Sequence, residues 1–110
     1  MAFRNAYIYI ENKSPYPVTI YVGVTIATNI GGSGCGLYAY GKYQDLGVHQ
    51  YTIQPYGNVT DWWYFDDSSM GGYPYYLIAK VWLNYSNGQL SNCVSGCAVK
   101  VYSGYSQQMC

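Results

Sequence analysis

The sequence predicts an all-β protein: one antiparallel β-sandwich domain, or a small barrel, over residues 1–110, built from about six to eight short strands. Three observations carry that expectation. Apolar residues alternate with polar or aromatic ones at a period of two along several stretches. Proline, glycine and asparagine punctuate the chain at strand-length intervals. No stretch carries an apolar stripe at the helical period of about 3.6 residues.

Taken in order, residues 6–10 place Ala6, Ile8 and Ile10 on one face and Tyr7 and Tyr9 on the other. Ser14-Pro15-Tyr16-Pro17 interrupts this run, because proline has no N–H to give to a ladder. Residues 18–24 set Val18, Ile20, Val22 and Val24 inward, with Thr19 and Tyr21 outward. Gly31-Gly32-Ser33-Gly34 reads as a flexible connector. Further strands are expected near 37–43, 48–54 and 58–65, the last two parted by Gln54-Pro55-Tyr56-Gly57. Within TDWWYFDD, alternation sends Trp62 and Tyr64 to one face and Trp63 and Phe65 to the other, so one pair is core. Ser68-Ser69-Met70-Gly71-Gly72 is a second connector. Residues 75–83 put Tyr75, Leu77, Ala79, Val81 and Leu83 on one side, opposite Tyr76, Ile78, Lys80 and Trp82. Asn87-Gly88 is a favoured hairpin dipeptide, since both residues tolerate positive φ. A last strand near 97–103 leads into a Ser/Gly/Tyr/Gln tail at 104–110, read as a free end or an assembly segment.

Composition narrows the function. Half of the residues are hydrophobic, yet 9% are charged, against roughly 25% in an average soluble domain. Five basic and five acidic residues are scattered almost singly. No basic patch is present to release counterions from a phosphate backbone, so nucleic acid is not an expected partner. No apolar run approaches the ~20 residues of a membrane-spanning helix. A near-neutral surface lacks the repulsion that keeps small proteins apart, which favours association.

Catalytic and metal motifs are missing. Gly-Gly-Ser-Gly-Cys-Gly at 31–36 lacks the lysine and hydroxyl residue of a phosphate loop. Asp61, Asp66 and Asp67 do not form a calcium-loop pattern, and the adjacent Asp66 and Asp67 diverge if extended, so all three are read as loop and turn residues. His49, the single histidine, reads as a satisfied or exposed strand residue rather than half of a cysteine–histidine pair. No enzyme, cofactor or metal is expected.

The four cysteines, Cys35, Cys93, Cys97 and Cys110, permit two disulfides in three pairings. Cys93 and Cys97 bracket Val-Ser-Gly, which would suit a local bridge and leave Cys35 for Cys110. The opening MAFRNAYIYIENKS has no signal-peptide segment. The cysteines, the low charge and the sequons at Asn58 and Asn84 nevertheless point to an extracellular or cell-surface location. A third sequon at Asn12 precedes Pro15 and is a poor acceptor.

The run AYIYIENKSPYPVTIYV resembles the opening strand pair of thaumatin-like proteins, with Ser14 where that family has a cysteine. It is also similar to the start of aegerolysins, small lipid-binding β-sandwiches. Both resemblances imply a β-sandwich and carry no functional residue onto this chain.

The strands' second faces carry Tyr7, Tyr9, Tyr21, Tyr76, Ile78 and Trp82 where a solvated sheet would be polar. The leading expectation is therefore a non-catalytic, self-associating structural protein, a subunit of an extracellular filament, coat or matrix. Its contact residues would be Tyr7, Tyr9, Tyr21, Trp63, Tyr76 and Trp82. The alternative is a glycan- or lipid-headgroup-binding module using exposed Trp and Tyr.

Overall fold

The computed structural model describes residues 3–84, 90–101 and 107–110. Among these run seven strands: β1 (Phe3–Glu11), β2 (Val18–Gly31), β3 (Tyr38–Ile53), β4 (Asn58–Asp66), β5 (Tyr76–Asn84), β6 (Leu90–Lys100) and β7 (Gln107–Gln108). They form two facing sheets, one ordered β4-β1-β7 and the other β3-β2-β5-β6. Every ladder is antiparallel except the short one between β1 and β7. The expected β-sandwich is the architecture. Among the described residues no helix is long and apolar enough to cross a membrane.

The inward faces are those that the alternation predicts. Ala6 and Ile8 face Ile20, Val22, Val24 and Ile26, backed by Leu77, Ala79 and Val81. Trp63 and Phe65 join them from β4, with Met70, Tyr75 and Met109 at the margins. Each such aliphatic side chain contributes about 1.5–3 kcal/mol by leaving water.

Several strands are longer than expected, β2 and β3 most of all, and the strand expected near 97–103 is β6, which starts earlier and runs Leu90–Lys100. The stretches 37–43 and 48–54 belong to one 16-residue strand, β3, paired along a 14-residue β2. The intervening glycine is not a break. Gly47, at φ +107, sits where the β2–β3 register shifts between Val24 and Thr25, so the ladder absorbs an extra residue as a bulge and continues.

The long hairpin does not project into solvent. β2 leaves β5 at Ala27, opposite Tyr76, but stays paired with β3 as far as Gly31 opposite Tyr38. The tip, a single 3-10 turn at Gly34–Gly36, returns over the outer face of β6. A Cβ on Gly96 would lie 2.3 Å from the Gly34 carbonyl oxygen, so only glycine permits this approach. The Cys35–Cys93 disulfide, with Cα atoms 5.8 Å apart, pins the tip there. Leu37 and Ile78 are buried as a result, although Ile78 lies on the sheet's outward row. The second disulfide joins Cys97 to Cys110. The cysteine pairing therefore differs from the local bridge that spacing suggested: each bond ties two elements rather than closing a short loop.

The tail at 104–110 is tied down within the chain where it is described. Gln107 and Gln108 pair beside Ala6 and Tyr7, the Met109 N–H donates to the Tyr7 carbonyl at 2.7 Å, and Cys110 carries the disulfide. The dipeptide Asn87-Gly88 lies outside the described residues. Asn12 holds together the β1–β2 connection, with Pro15 and Pro17, and the β3–β4 connection, with Pro55. Its amide donates to the carbonyls of Tyr16, Ile53 and Gln54 at 2.7–3.1 Å, while its oxygen accepts from Ser14.

Candidate functional site

A contiguous outward row of aromatic rings lies on the three-stranded sheet, and pairing explains why. Antiparallel register sets Tyr7 opposite Trp62, Asn5 opposite Tyr64 and Tyr9 opposite Thr60, so their side chains share the outer face. The Tyr7 and Trp62 rings are 4.8 Å apart, centroid to centroid. Trp62 continues to Tyr64 at 6.3 Å with ring planes only 14° apart. Trp62 is 40% exposed and Tyr64 72%. Asn5, Thr60 and Gln108 frame the strip and are also exposed. The result is a row of rings bordered by amides and a hydroxyl, without a charge in its middle.

Behind this strip, the inward residues of β4 meet β3. Asp61 is fully buried. Its Oδ1 accepts from His49 Nδ1–H at 2.7 Å and from the Tyr51 hydroxyl, and its Oδ2 accepts from Trp63 Nε1–H at 2.6 Å. A carboxylate without partners could not remain there; three donors replace its lost water. The His49 ring stacks on Trp63 with centroids 3.7 Å apart and planes 14° apart. The Tyr51 hydroxyl is pushed up to about 12, first by burial, then by its bond to Asp61 and by that carboxylate's charge. These four side chains close the seam between the outer edges of the two sheets. A proton on His49 Nδ1 is implied by the carboxylate that it meets, which leaves Nε2 as the ring's second polar atom.

Of the six expected contact residues, Tyr7 and Tyr9 lie on the strip. Tyr21, Tyr76 and Trp82 lie on the outer face of the other sheet, each half-buried. Tyr21 and Trp82 are partners across the β2–β5 ladder, and the Trp82 ring packs over Gly23. These two sets are not brought together. Trp63 is placed differently from the expectation: it is 4% exposed, in the core, and Trp62 is the outward ring. Asp61 likewise is not a loop residue. Asp66 and Asp67 do serve turns and ties: Asp66 accepts from the Ser68 N–H, and Asp67 from Arg4 and the Tyr75 hydroxyl. Asn58 is exposed at the head of β4, whereas Asn84 is half-buried with its amide 3.4 Å from the Tyr21 hydroxyl.

Trp62 and Tyr64 were legible only as one of two candidate faces. The His49–Tyr51–Asp61–Trp63 cluster had one sequence signal, the i, i+2 spacing of both pairs, and nothing to say that the two strands meet. No family model, no curated protein and no solved structure matches this chain.

Proposed function

We propose that the chain is a non-catalytic recognition module that holds a glycan on the outer face of its three-stranded sheet. The observation that carries this reading is the contiguous Tyr7–Trp62–Tyr64 row with its border of Asn5, Thr60 and Gln108. Sugar rings have one apolar C–H face and a rim of hydroxyls. Flat aromatic rings take the face, and neighbouring amides and hydroxyls take the rim. Two disulfides suit an oxidising, extracellular or cell-surface setting.

A glycan array probed with the intact protein, alongside zwitterionic liposomes, tests this reading. Trp62→Ala is expected to weaken glycan binding at least tenfold in a chain that still folds, with a thermal midpoint lowered only by the lost ring contacts to Tyr7 and Tyr64. An array without hits, or binding indifferent to Trp62→Ala, overturns it, and retention on liposomes alone would move the ligand to lipid headgroups.

Self-association is the second reading, favoured by the outer edge of β3, unpaired among the described residues, and by Tyr38, Tyr40 and Tyr43 exposed along it. On the second faces Ile78 is already buried within the chain, while Tyr21, Tyr76 and Trp82 are half-buried. Light scattering at high concentration tests it: a protein that stays monomeric ends the assembly reading.

A further inference from the structure

Between the outer edges of β3 and β4 lies a pocket of about 390 Å3 that includes Gln44, Asp45, His49, Trp62, Tyr64 and Asp66 in its lining. We propose that this pocket is the polar half of the glycan site and that it selects an uncharged sugar, gripping the hydroxyls of one unit while its neighbour stacks on Trp62 and Tyr64. The inference rests on the glycan reading above and specifies its ligand.

Continuity is the first argument. Trp62 and Tyr64 belong both to the aromatic strip and to the pocket's rim. An oligosaccharide lying on these two rings therefore borders the pocket.

Preorganisation is the second. His49 is fixed twice, by the Asp61 hydrogen bond at Nδ1 and by stacking on Trp63. Asp45 Oδ1 accepts the Gly47 N–H and Asp66 Oδ1 the Ser68 N–H, both at 3.0 Å, which sets the aim of each carboxyl group. The Gln44 side-chain oxygen is held by Ser69 Oγ at 2.6 Å. A site whose polar groups are already oriented loses less entropy when it binds. Backbone adds to this. Among the described residues β3 pairs with β2 alone and β4 with β1 alone, so each presents a row of N–H and C=O groups along the seam.

Charge is the third. Carboxylates only accept hydrogen bonds, so Asp45 and Asp66 require a ligand rich in donors, as sugar hydroxyls are. A uronic acid or sulfated sugar would bring a negative charge against two carboxylates with neither lysine nor arginine in the lining to meet it, and like-charge juxtaposition is an effective device for rejecting a ligand.

The test uses the whole chain with its disulfides intact. Calorimetric titrations with cello-, manno- and galacto-oligosaccharides are compared with oligogalacturonate, the acidic counterpart of the last. At least one neutral series is expected to bind, and oligogalacturonate at least tenfold more weakly than galacto-oligosaccharide. Asp45→Asn with Asp66→Asn, which keeps a carbonyl oxygen at each turn, should narrow that gap by admitting the acidic ligand. His49→Gln should weaken neutral binding several-fold. If no series binds, the glycan reading and this inference fall together. If binding is lost in Trp62→Ala yet neutral and acidic ligands bind equally, or the two Asp→Asn changes leave their ratio unaltered, the pocket inference alone is wrong and the strip stands.

Discussion

Trp62 and Trp63 are neighbours in sequence and opposites in environment, and Asp61 shows why the sequence could not rank them. Asp61 shares its face with Trp63 and Phe65, which makes that face look like the polar one. Its charge is compensated by His49 and Tyr51, which lie 12 and 10 residues away on another strand, and alternation within one strand carries no word of that. The network gives a sharp prediction. Asparagine at 61 offers one acceptor oxygen and one NH2 group: turned towards Trp63 the NH2 meets the donor-only Nε1–H, and turned towards His49 and Tyr51 it forces the imidazole to change tautomer and the hydroxyl to accept instead of donate. Asp61→Asn is therefore expected to cost about 2–4 kcal/mol, read as a lower denaturant midpoint with an unchanged slope. A loss below about 0.5 kcal/mol, the scale of an ordinary surface change, would mean that the three donors find other partners.

At the scale of elements, the strands were legible and their connections were not. The period of two in β1, β2 and β5 assigned each side chain to its observed face, because strand geometry is local. The glycine-rich segment at 31–36 misled for a physical reason. Composition suggests flexibility there, but the Gly34 backbone lies against Gly96, where a Cβ would meet the Gly34 carbonyl oxygen, and Gly34 itself is at φ +52. The hairpin is latched rather than loose. Its disulfide closes a loop of 58 residues and the Cys97–Cys110 bond one of 13, so a chain-entropy estimate gives about 4 and about 3 kcal/mol respectively. Cys35→Ser with Cys93→Ser should destabilise the fold by the larger amount. It should also raise protease cleavage and amide exchange near Leu37 and Ile78, while Cys97→Ser with Cys110→Ser leaves that region protected. Identical exchange in both variants would show that apolar contact holds the tip without the bond.

The whole molecule carries no net charge at neutral pH, so near neutrality its pH response depends on individual buried groups, while in alkali the ionisation of its exposed tyrosines adds a general repulsion. Two tyrosines stand out. Tyr51 donates to Asp61 at the β3–β4 seam, and Tyr75 donates to Asp67, which Arg4 also meets. Tyr51 is raised to about 12. Tyr75 is pushed well above the ordinary phenol range, first by burial and then by its bond to Asp67, with Arg4 opposing the rise. In both cases the folded chain holds its phenolic proton more tightly than the unfolded chain, whose tyrosines titrate near ~10. Their contribution to stability is complete below about pH 10. It declines as pH rises through the folded values, because only the unfolded state releases these protons readily. The thermal midpoint should accordingly be insensitive to these two groups up to about pH 10 and fall steeply from there towards about pH 12. Tyr51→Phe removes one of the two protons and should flatten that descent, at the cost of a lower starting midpoint from the lost hydrogen bond. Tyr75→Phe should do the same from the other end of the sandwich. Because the two sites share no partner, their effects on the slope should add. A midpoint that declines equally in wild type and in the Tyr51→Phe, Tyr75→Phe double variant would place the alkaline response elsewhere, among the exposed tyrosines, and would break the link drawn here between seam closure and pH.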